Sequence, residues 1–389
     1  MNRQPYAIAR SDRSNLALWW WETEHVLLVV TMILMTLGVV LSFASSPAAA
    51  ARMNLGDPFH FAVRQCLFAA AGALVLLTVS ALSPRGIRRI AVFVFLAAIV
   101  TMMALPFLGH NAKGSTRWVQ LEGFSLQPSE FMKPALIVLA AWMFSESQKG
   151  PRMPGVFVAF ALYGLPAALL LLEPDDGQTI LITIAFGAAF FVAGVPLRWV
   201  AGLFAAAVAG AIALYLLVPH VSKRVNDFLG HDNPDSRQID HALKAIAAGG
   251  LFGRGPGEGQ MKLSVPDMHT DFIYSVAAEE YGVFFCLALI GLFALLVGRG
   301  LYRALKLTDA FEQIAAAGLF VLVGEQALIN IAVNLGLIPT KGTTLPFISY
   351  GGSSMLAMGM TLGMALALVR RRPGGYESIP SLAPAGVFV

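Results

Sequence analysis

Apolar residues dominate the chain in long runs separated by short polar turns. The pattern predicts ten membrane-spanning helices near 26–44, 61–82, 88–108, 131–145, 155–172, 178–194, 199–218, 272–298, 312–335 and 353–370, since about 20 apolar residues on a helix cross a bilayer. Residues 1–25 and 371–389 are left as tails, and 26–370 as one membrane domain with a large loop, 219–270, between spans 7 and 8. Within that loop Ser236 suits a helix N-cap, Ile239, Leu243 and Ile246 form an apolar stripe, and Gly249-Gly250 ends it. Polar residues interrupt two of the spans at helical spacing. Asp271, Ser275 and Glu279 recur every four residues, as do Gln326, Asn330 and Asn334, with Glu325 beside them, so each set shares one helix face.

Composition agrees with a polytopic all-α membrane protein. Hydrophobic residues make up 57% of the chain and charged ones 13%, about half the usual share in soluble proteins. The apolar run from Val26 to Ala44 is too long for a signal-peptide core and reads as an uncleaved first span. Cys66 and Cys286 sit inside apolar runs with no metal-ligand spacing, as small buried residues do. No basic tract of the nucleic-acid type is present. The net charge of +4 matters less than its placement. With ten spans both termini share a side, and that side's tails and short turns collect Arg3, Arg10, Arg13, Arg85, Arg88, Arg89, Arg299, Arg303 and Arg370 among others. The positive-inside rule makes that side cytoplasmic and turns the long segments 109–130, 173–178, 219–270 and 336–352 outward.

Chemistry therefore belongs on the outer face, where five constellations lie. In GSTRWVQLEGFSLQPSEFMK, residues 114–133, Arg117 and Trp118 suit a headgroup-level anchor, and Glu130 and Lys133 can pair at a helix mouth or hold a phosphate. EPDDGQT, residues 173–179, reads as a solvated acidic turn or as oxygen ligands for a divalent cation. Glycines crowd 249–259 with Arg254 and Lys262 nearby, which suits either a flexible loop or an anion cradle. His269, Thr270 and Asp271 follow, where a helix enters the bilayer. Asp271 is either a first-turn acid or, partly desolvated, a proton acceptor. Asn330 and Asn334 bond between helices or line a polar cavity. In LIPTKGTTLPFISYGGSS, residues 337–354, Lys341 stands between prolines in a loop too broken for helix.

In order along the chain, GSTRWV with QPSEFMK, EPDDGQT, GRGPGEG with HTDFIYSVAAEEYG, and PTKGTTLPFISYGGSS resemble the SEDS family, the polytopic proteins of bacterial cell elongation, division and sporulation. The last segment is more similar to the division branch than to the elongation branch. Asp267, Met268 and Asp176 depart from the family's commoner residues. The resemblance implies a peptidoglycan glycosyltransferase of the bacterial inner membrane, active on its periplasmic face and working at the division septum. Its substrate would be lipid II, a disaccharide peptide on undecaprenyl pyrophosphate. Its partners would be a class B penicillin-binding transpeptidase, other division proteins and membrane lipid. It implies Asp271 as the essential base, Lys341, Lys133, Glu130, Arg117, Arg254 and Lys262 around pyrophosphate, and His269, Thr270, Ser275, Glu279, Asn330 and Asn334 as a supporting polar face. A divalent cation, Mg2+ or Mn2+, is left open, as are a lipid II flippase, an elongation-type polymerase and a scaffold for the transpeptidase.

Overall fold

The computed structural model describes residues 14–108, 117–121, 124–150, 154–195, 197–217, 221–222, 226, 234–265, 267–340 and 342–370. Its helices are α1 Asn15–Glu22, α2 His25–Arg52, α3 His60–Ser80, α4 Pro84–Leu108, α5 Pro128–Ser147, α6 Gly155–Leu172, α7 Asp176–Val192, α8 Leu197–Leu217, α9 Pro234–Gly249, α10 Ile273–Ala304, α11 Ala310–Asn334 and α12 Gly352–Val369. Every expected span corresponds to one of them. Seven (α2, α3, α4, α6, α10, α11 and α12) are long and apolar enough to cross a membrane, so this is a multi-pass membrane protein.

The bundle is built around α11, α12 and α5. The spanning window of α12 is 89% buried and that of α11 78%, against 22% for the peripheral α6. Hydrophobicity cannot drive helix pairing in lipid, so close approach of backbones must. Gly359 and Gly363, four apart on α12, provide it: a Cβ on either would strike the Gly72 or Leu76 carbonyl of α3.

At one end the basic residues meet acids. Glu24 caps the start of α2 and accepts hydrogen bonds from Arg299 (2.6 Å) and Arg303 (2.6 Å) at the end of α10. Burial pushes its carboxyl up, but the two guanidiniums outweigh burial and hold it below the ordinary carboxylate range. Arg370 pairs with Glu22 at 3.0 Å, and the Trp19 indole donates to Ser80 Oγ at 3.0 Å. Residues 15–22, expected in the N-terminal tail, are thus a helix tied across the ends of α3 and α12. At the other end β1 Val119–Leu121 pairs antiparallel with β2 Phe124–Leu126, Gln120 opposite Ser125. Apolar–polar alternation on both sides of Glu122-Gly123 is the sequence signal for this hairpin.

Two expectations change. The buried stripe of α9 is Ile239, Ala242, Ala245 and Gly249, while Leu243 is 39% exposed. Small residues face inward because α9 docks on α10 so closely that Gly249 has no room for a Cβ against the Ala278 carbonyl. The glycine-rich loop, in turn, is no open anion cradle. α10 is broken at Gly282 (φ 82°, ψ 179°), and the loop supplies the bonds the break removes. Arg254 N donates to Glu279 O (3.0 Å) and Gly255 N to Glu280 O (3.0 Å), while Val283 N and Phe284 N donate to Gly250 O (3.0 Å) and Leu251 O (3.3 Å). Gly253 and Gly282 face each other with positive φ, and a Cβ on either would collide with the other segment's backbone.

Gly253→Ala and Gly282→Ala should each lose about 1–3 kcal/mol or more from a left-handed backbone plus a backbone clash. Thermal unfolding in detergent reads this directly, with Gly291→Ala on the same helix, in open space, as the control that should stay near wild type.

Candidate functional site

The short segment before α10 is fixed by its main chain. Thr270 N and Asp271 N both donate to Asp267 O at 3.1 Å, forming a tight turn. The next three carbonyls are then gripped in succession. His269 O accepts from Tyr350 N at 2.9 Å, and Thr270 O accepts from Ser349 Oγ at 2.6 Å. Asp271 O accepts from Asn330 Nδ2 (3.0 Å) and Asn334 Nδ2 (2.9 Å). Asn334 Oδ1 also accepts from Ser275 N (3.1 Å) and Ser275 Oγ (2.6 Å). Asn330 Nδ2 donates further to Thr343 O at 2.6 Å. The two four-residue stripes therefore meet at Asp271, which is half-buried. Gly342 lies beside it, a Cβ there falling 4.0 Å from Asp271 Oδ2. Lys341 lies outside the described residues.

His269 is a packing residue. Its ring lies 4.5 Å from Phe61 and 5.6 Å from Tyr350, and burial lowers its pKa against the opposing pull of Asp267. Glu279 turns away from Asp271 and accepts from Met261 N (2.7 Å) and Lys262 N (2.8 Å).

The cations expected at a phosphate have other partners. Lys262 is buried, paired with Glu280, and donates to Ala44 O at 3.1 Å. Lys133 is fully buried and bonds Glu130 Oε1 (3.0 Å) and Gln326 Oε1 (2.9 Å), with Gln178 donating to the same Glu130 oxygen (2.7 Å). Gln326 continues to Thr344 O at 3.1 Å, joining α5, α7 and α11 to the loop after Lys341. Glu325 is buried nearby with neither carboxylate oxygen hydrogen-bonded. Arg117 ties the hairpin to the turn before α7, donating to Glu173 O (3.2 Å) and Pro174 O and facing Asp175 at 3.7 Å. Arg254 is exposed, and its Nε donates to Ala248 O at 3.0 Å.

The EPDD turn does not suit a divalent ion. Asp175 caps α7, and Arg117 already occupies the acids' charge. Among the described residues no group of three or more His, Cys, Asp or Glu could hold a metal. Burial, reinforced by Asp175 and opposed by Arg117, raises the Glu173 carboxyl to about 7.

Residues 24–373 match the model of the FtsW/RodA/SpoVE family, described as cell cycle proteins. The chain belongs to the FtsW/RodA/SpoVE family. A probable peptidoglycan glycosyltransferase FtsW from Caulobacter vibrioides is 66% identical over 371 residues, covering 95% of each chain. The stage V sporulation protein E of Bacillus subtilis is 32% identical over 89% of this chain and 97% of its own. Among solved FtsW/RodA/SpoVE-like folds, a chain from a structure titled for the coordination of polymerization and crosslinking by a peptidoglycan synthase complex superposes with a TM-score of 0.75, at 28% identity and covering 90% of this chain and 98% of that one. The rod shape determining protein RodA of Thermus thermophilus does so with a TM-score of 0.67 at 27% identity, covering 91% and 99%. The family seen as a resemblance in the motifs is thus the one that residues 24–373 match. Sequence reading did not single out Ser349, Tyr350 or Gln178. The polar residues SY within an otherwise apolar LPFISYGG were the available signal for the first two.

A carboxyl raised from 4.5 to about 7 stabilises the fold below its unfolded pKa, and that contribution is lost as pH rises through 7. Glu173→Gln should therefore gain in melting temperature relative to wild type between pH 5 and pH 8, measured in the same detergent at each pH; a constant difference would contradict this.

Proposed function

We propose that this protein is a peptidoglycan glycosyltransferase that polymerises lipid II into glycan strands during septal wall synthesis, with Asp271 as the general base. The observation that carries the reading is the grip on three successive carbonyls, which fixes Asp271 at the polar end of the bundle where helix entry, the 342–350 loop and α11 converge. A relative 66% identical over nearly the whole chain, bearing a peptidoglycan glycosyltransferase name, supports the reaction class and favours the division role over elongation.

The chemistry asks little else of the protein. The 4-hydroxyl of one lipid-linked sugar attacks the anomeric carbon of another. Its proton passes to the Asp271 carboxylate as the new glycosidic bond forms and the bond to pyrophosphate breaks. Pyrophosphate leaves with its electron pair and needs no acid, only positive charge. A single displacement inverts the anomeric centre. Lys341, carried over from the family motif, and exposed Arg254 are the cations we assign to that charge. Arg117, Lys133 and Lys262, bonded to acids, serve instead to hold the hairpin, α5 and the 257–265 loop in register. His269, Thr270, Ser275, Asn330 and Asn334 act through the position of Asp271.

The distribution of arginines supports cytoplasmic termini in a bacterial inner membrane and a periplasmic active end. The structural relative from a complex that couples polymerization to crosslinking supports a class B penicillin-binding transpeptidase as partner at the septum.

Purified protein, with its transpeptidase partner, given lipid II in detergent, should make polymer, and Asp271→Asn should abolish it while melting like wild type. Full polymer from Asp271→Asn would sink the base assignment, and translocation without polymer would favour the flippase. Asn334→Ala removes a buried hub of several hydrogen bonds. It should cost about 1–3 kcal/mol of stability and reduce turnover more than lipid II affinity.

A further inference from the structure

The bonds around Lys133 leave one buried acid out. Both carboxylate oxygens of Glu325 are enclosed, and neither has a hydrogen-bond partner. α11 sets where this carboxyl stands. Gly318 lies one heptad before Glu325 and so on nearly the same helix face. A Cβ on Gly318 would come within 2.6 Å of Ile137 on α5 and 3.4 Å of Ala189 on α7. Ile137 is one turn after Lys133 on α5, and Lys133 reaches Gln326, the residue after Glu325, at 2.9 Å. The two helices therefore run antiparallel, and Glu325 stands on the α5–α7 side of α11 at the level of Lys133. Among the described residues Lys133 is the charged side chain that acts on its carboxylate.

The charges there do not balance. Lys133 is fully buried and bonded to Glu130 Oε1 at 3.0 Å. Asp175, the next acid outward, faces Arg117. That leaves Glu130 and Glu325, both buried, to share Lys133. Two ionised carboxylates and one ammonium would bury a net negative charge, which a protein interior penalises heavily. One proton on either carboxyl removes it. The carboxyl that holds Lys133 is then ionised and the other neutral. A lysine carries a point charge with three donors on a flexible stem, so it can serve either acid.

We infer that Glu130 and Glu325 are alternative seats for Lys133, the carboxyl without the lysine carrying a proton, and that Glu325 is through this exchange a positioning residue for the loop beside Asp271. In the structure Lys133 sits on Glu130 and holds Gln326, whose amide donates to Thr344 O (3.1 Å) and Thr344 Oγ1 (3.3 Å). Thr344 is two residues after Gly342, which lies against Asp271. In the other state an O–H bond breaks at Glu325 and one forms at Glu130, so charge and proton count stay the same. Lys133 turns from Gln326 to its neighbour, and the hold on Thr344 loosens. The seats are independent of the glycosyltransferase reading; only their effect on turnover rests on it.

Infrared spectra of the full-length protein in detergent at neutral pH read the proton directly. Glu325→Gln should lose one protonated-carboxyl stretch relative to wild type. Glu130→Gln should lose the same band although Glu325 is intact, because Lys133 moves across and Glu325 ionises. A merely packed Glu325 would keep its band in that variant. The triple variant Glu130→Gln/Glu325→Gln/Lys133→Met should lose no more of the band than either single change. Melting gives a second readout. Each single glutamine variant keeps a seat for Lys133 and should fold. Glu130→Gln/Glu325→Gln strands the lysine and should fall in Tm by far more than the two single shifts together. With lipid II, Glu130→Gln should lose kcat several-fold while KM stays near wild type, since the loop and not the binding surface is disturbed. No band lost in Glu325→Gln, a band retained in Glu130→Gln, additive melting shifts, or a Glu130→Gln protein that does not fold each overturns the exchange. Unchanged kcat overturns the link to the loop. If the wild type makes no polymer under any condition, the glycosyltransferase reading fails, and the infrared and melting results still decide the seats.

Discussion

A helix inside a bilayer can be broken only if something other than water takes up the amides and carbonyls that the break releases. α10 is broken at Gly282, and the loop from Gly250 to Gly255 is laid against it so that four backbone hydrogen bonds replace those lost. Much of the candidate site follows from this repair. The break detaches Ile273–Tyr281 from the rest of α10 as a short buried rod. That rod carries Ser275, Glu279 and Glu280, which lock to Asn334, the 261–262 amides and Lys262 respectively. Asp271 sits just ahead of the rod, so its address is set by these locks as much as by its own contacts.

Charge in the interior follows one rule. Burying an ion is costly unless a partner and hydrogen bonds compensate it. Lys133, fully enclosed, has Glu130 and Gln326; Lys262 has Glu280 and a carbonyl; Glu24 has two arginines. Among the described residues Glu325, buried with neither carboxylate oxygen hydrogen-bonded, departs from that rule.

The spans were legible because their signal is long and averaged: twenty apolar residues leave few alternatives, and all ten regions are helical. The stripes Asp271, Ser275, Glu279 and Gln326, Asn330, Asn334 were legible for the same periodic reason, and Asp271 and Ser275 do meet Asn330 and Asn334, while Glu279 and Gln326 bond elsewhere. What one dimension hid was pairing across the bundle. Nothing in GGLFGRGPGEG says that its amides face carbonyls of a helix thirty residues on, so the loop read as either a flexible segment or a nest for an anion. Lys262 read as a free cation because its acid sits eighteen residues away with no rule to fix the match, whereas the pairing of Lys133 with Glu130, three residues apart, was one of the two readings the sequence left open. The stripe of α9 went to alanines, since intimate backbone contact with α10 rewards small side chains over bulky ones. The motif order identified the family because it samples many such pairings at once.

The clamp on residues 269–271 holds peptide carbonyls, and a carbonyl is the same whatever side chain its residue bears. Location and reactivity are thereby uncoupled: the backbone address is written by Asn330, Asn334, Ser349 and Tyr350, and the functional group is plugged in afterwards. Exchanging that side chain leaves these four backbone grips in place, so on the reading proposed above the general base can be removed while the clamp that positions it remains.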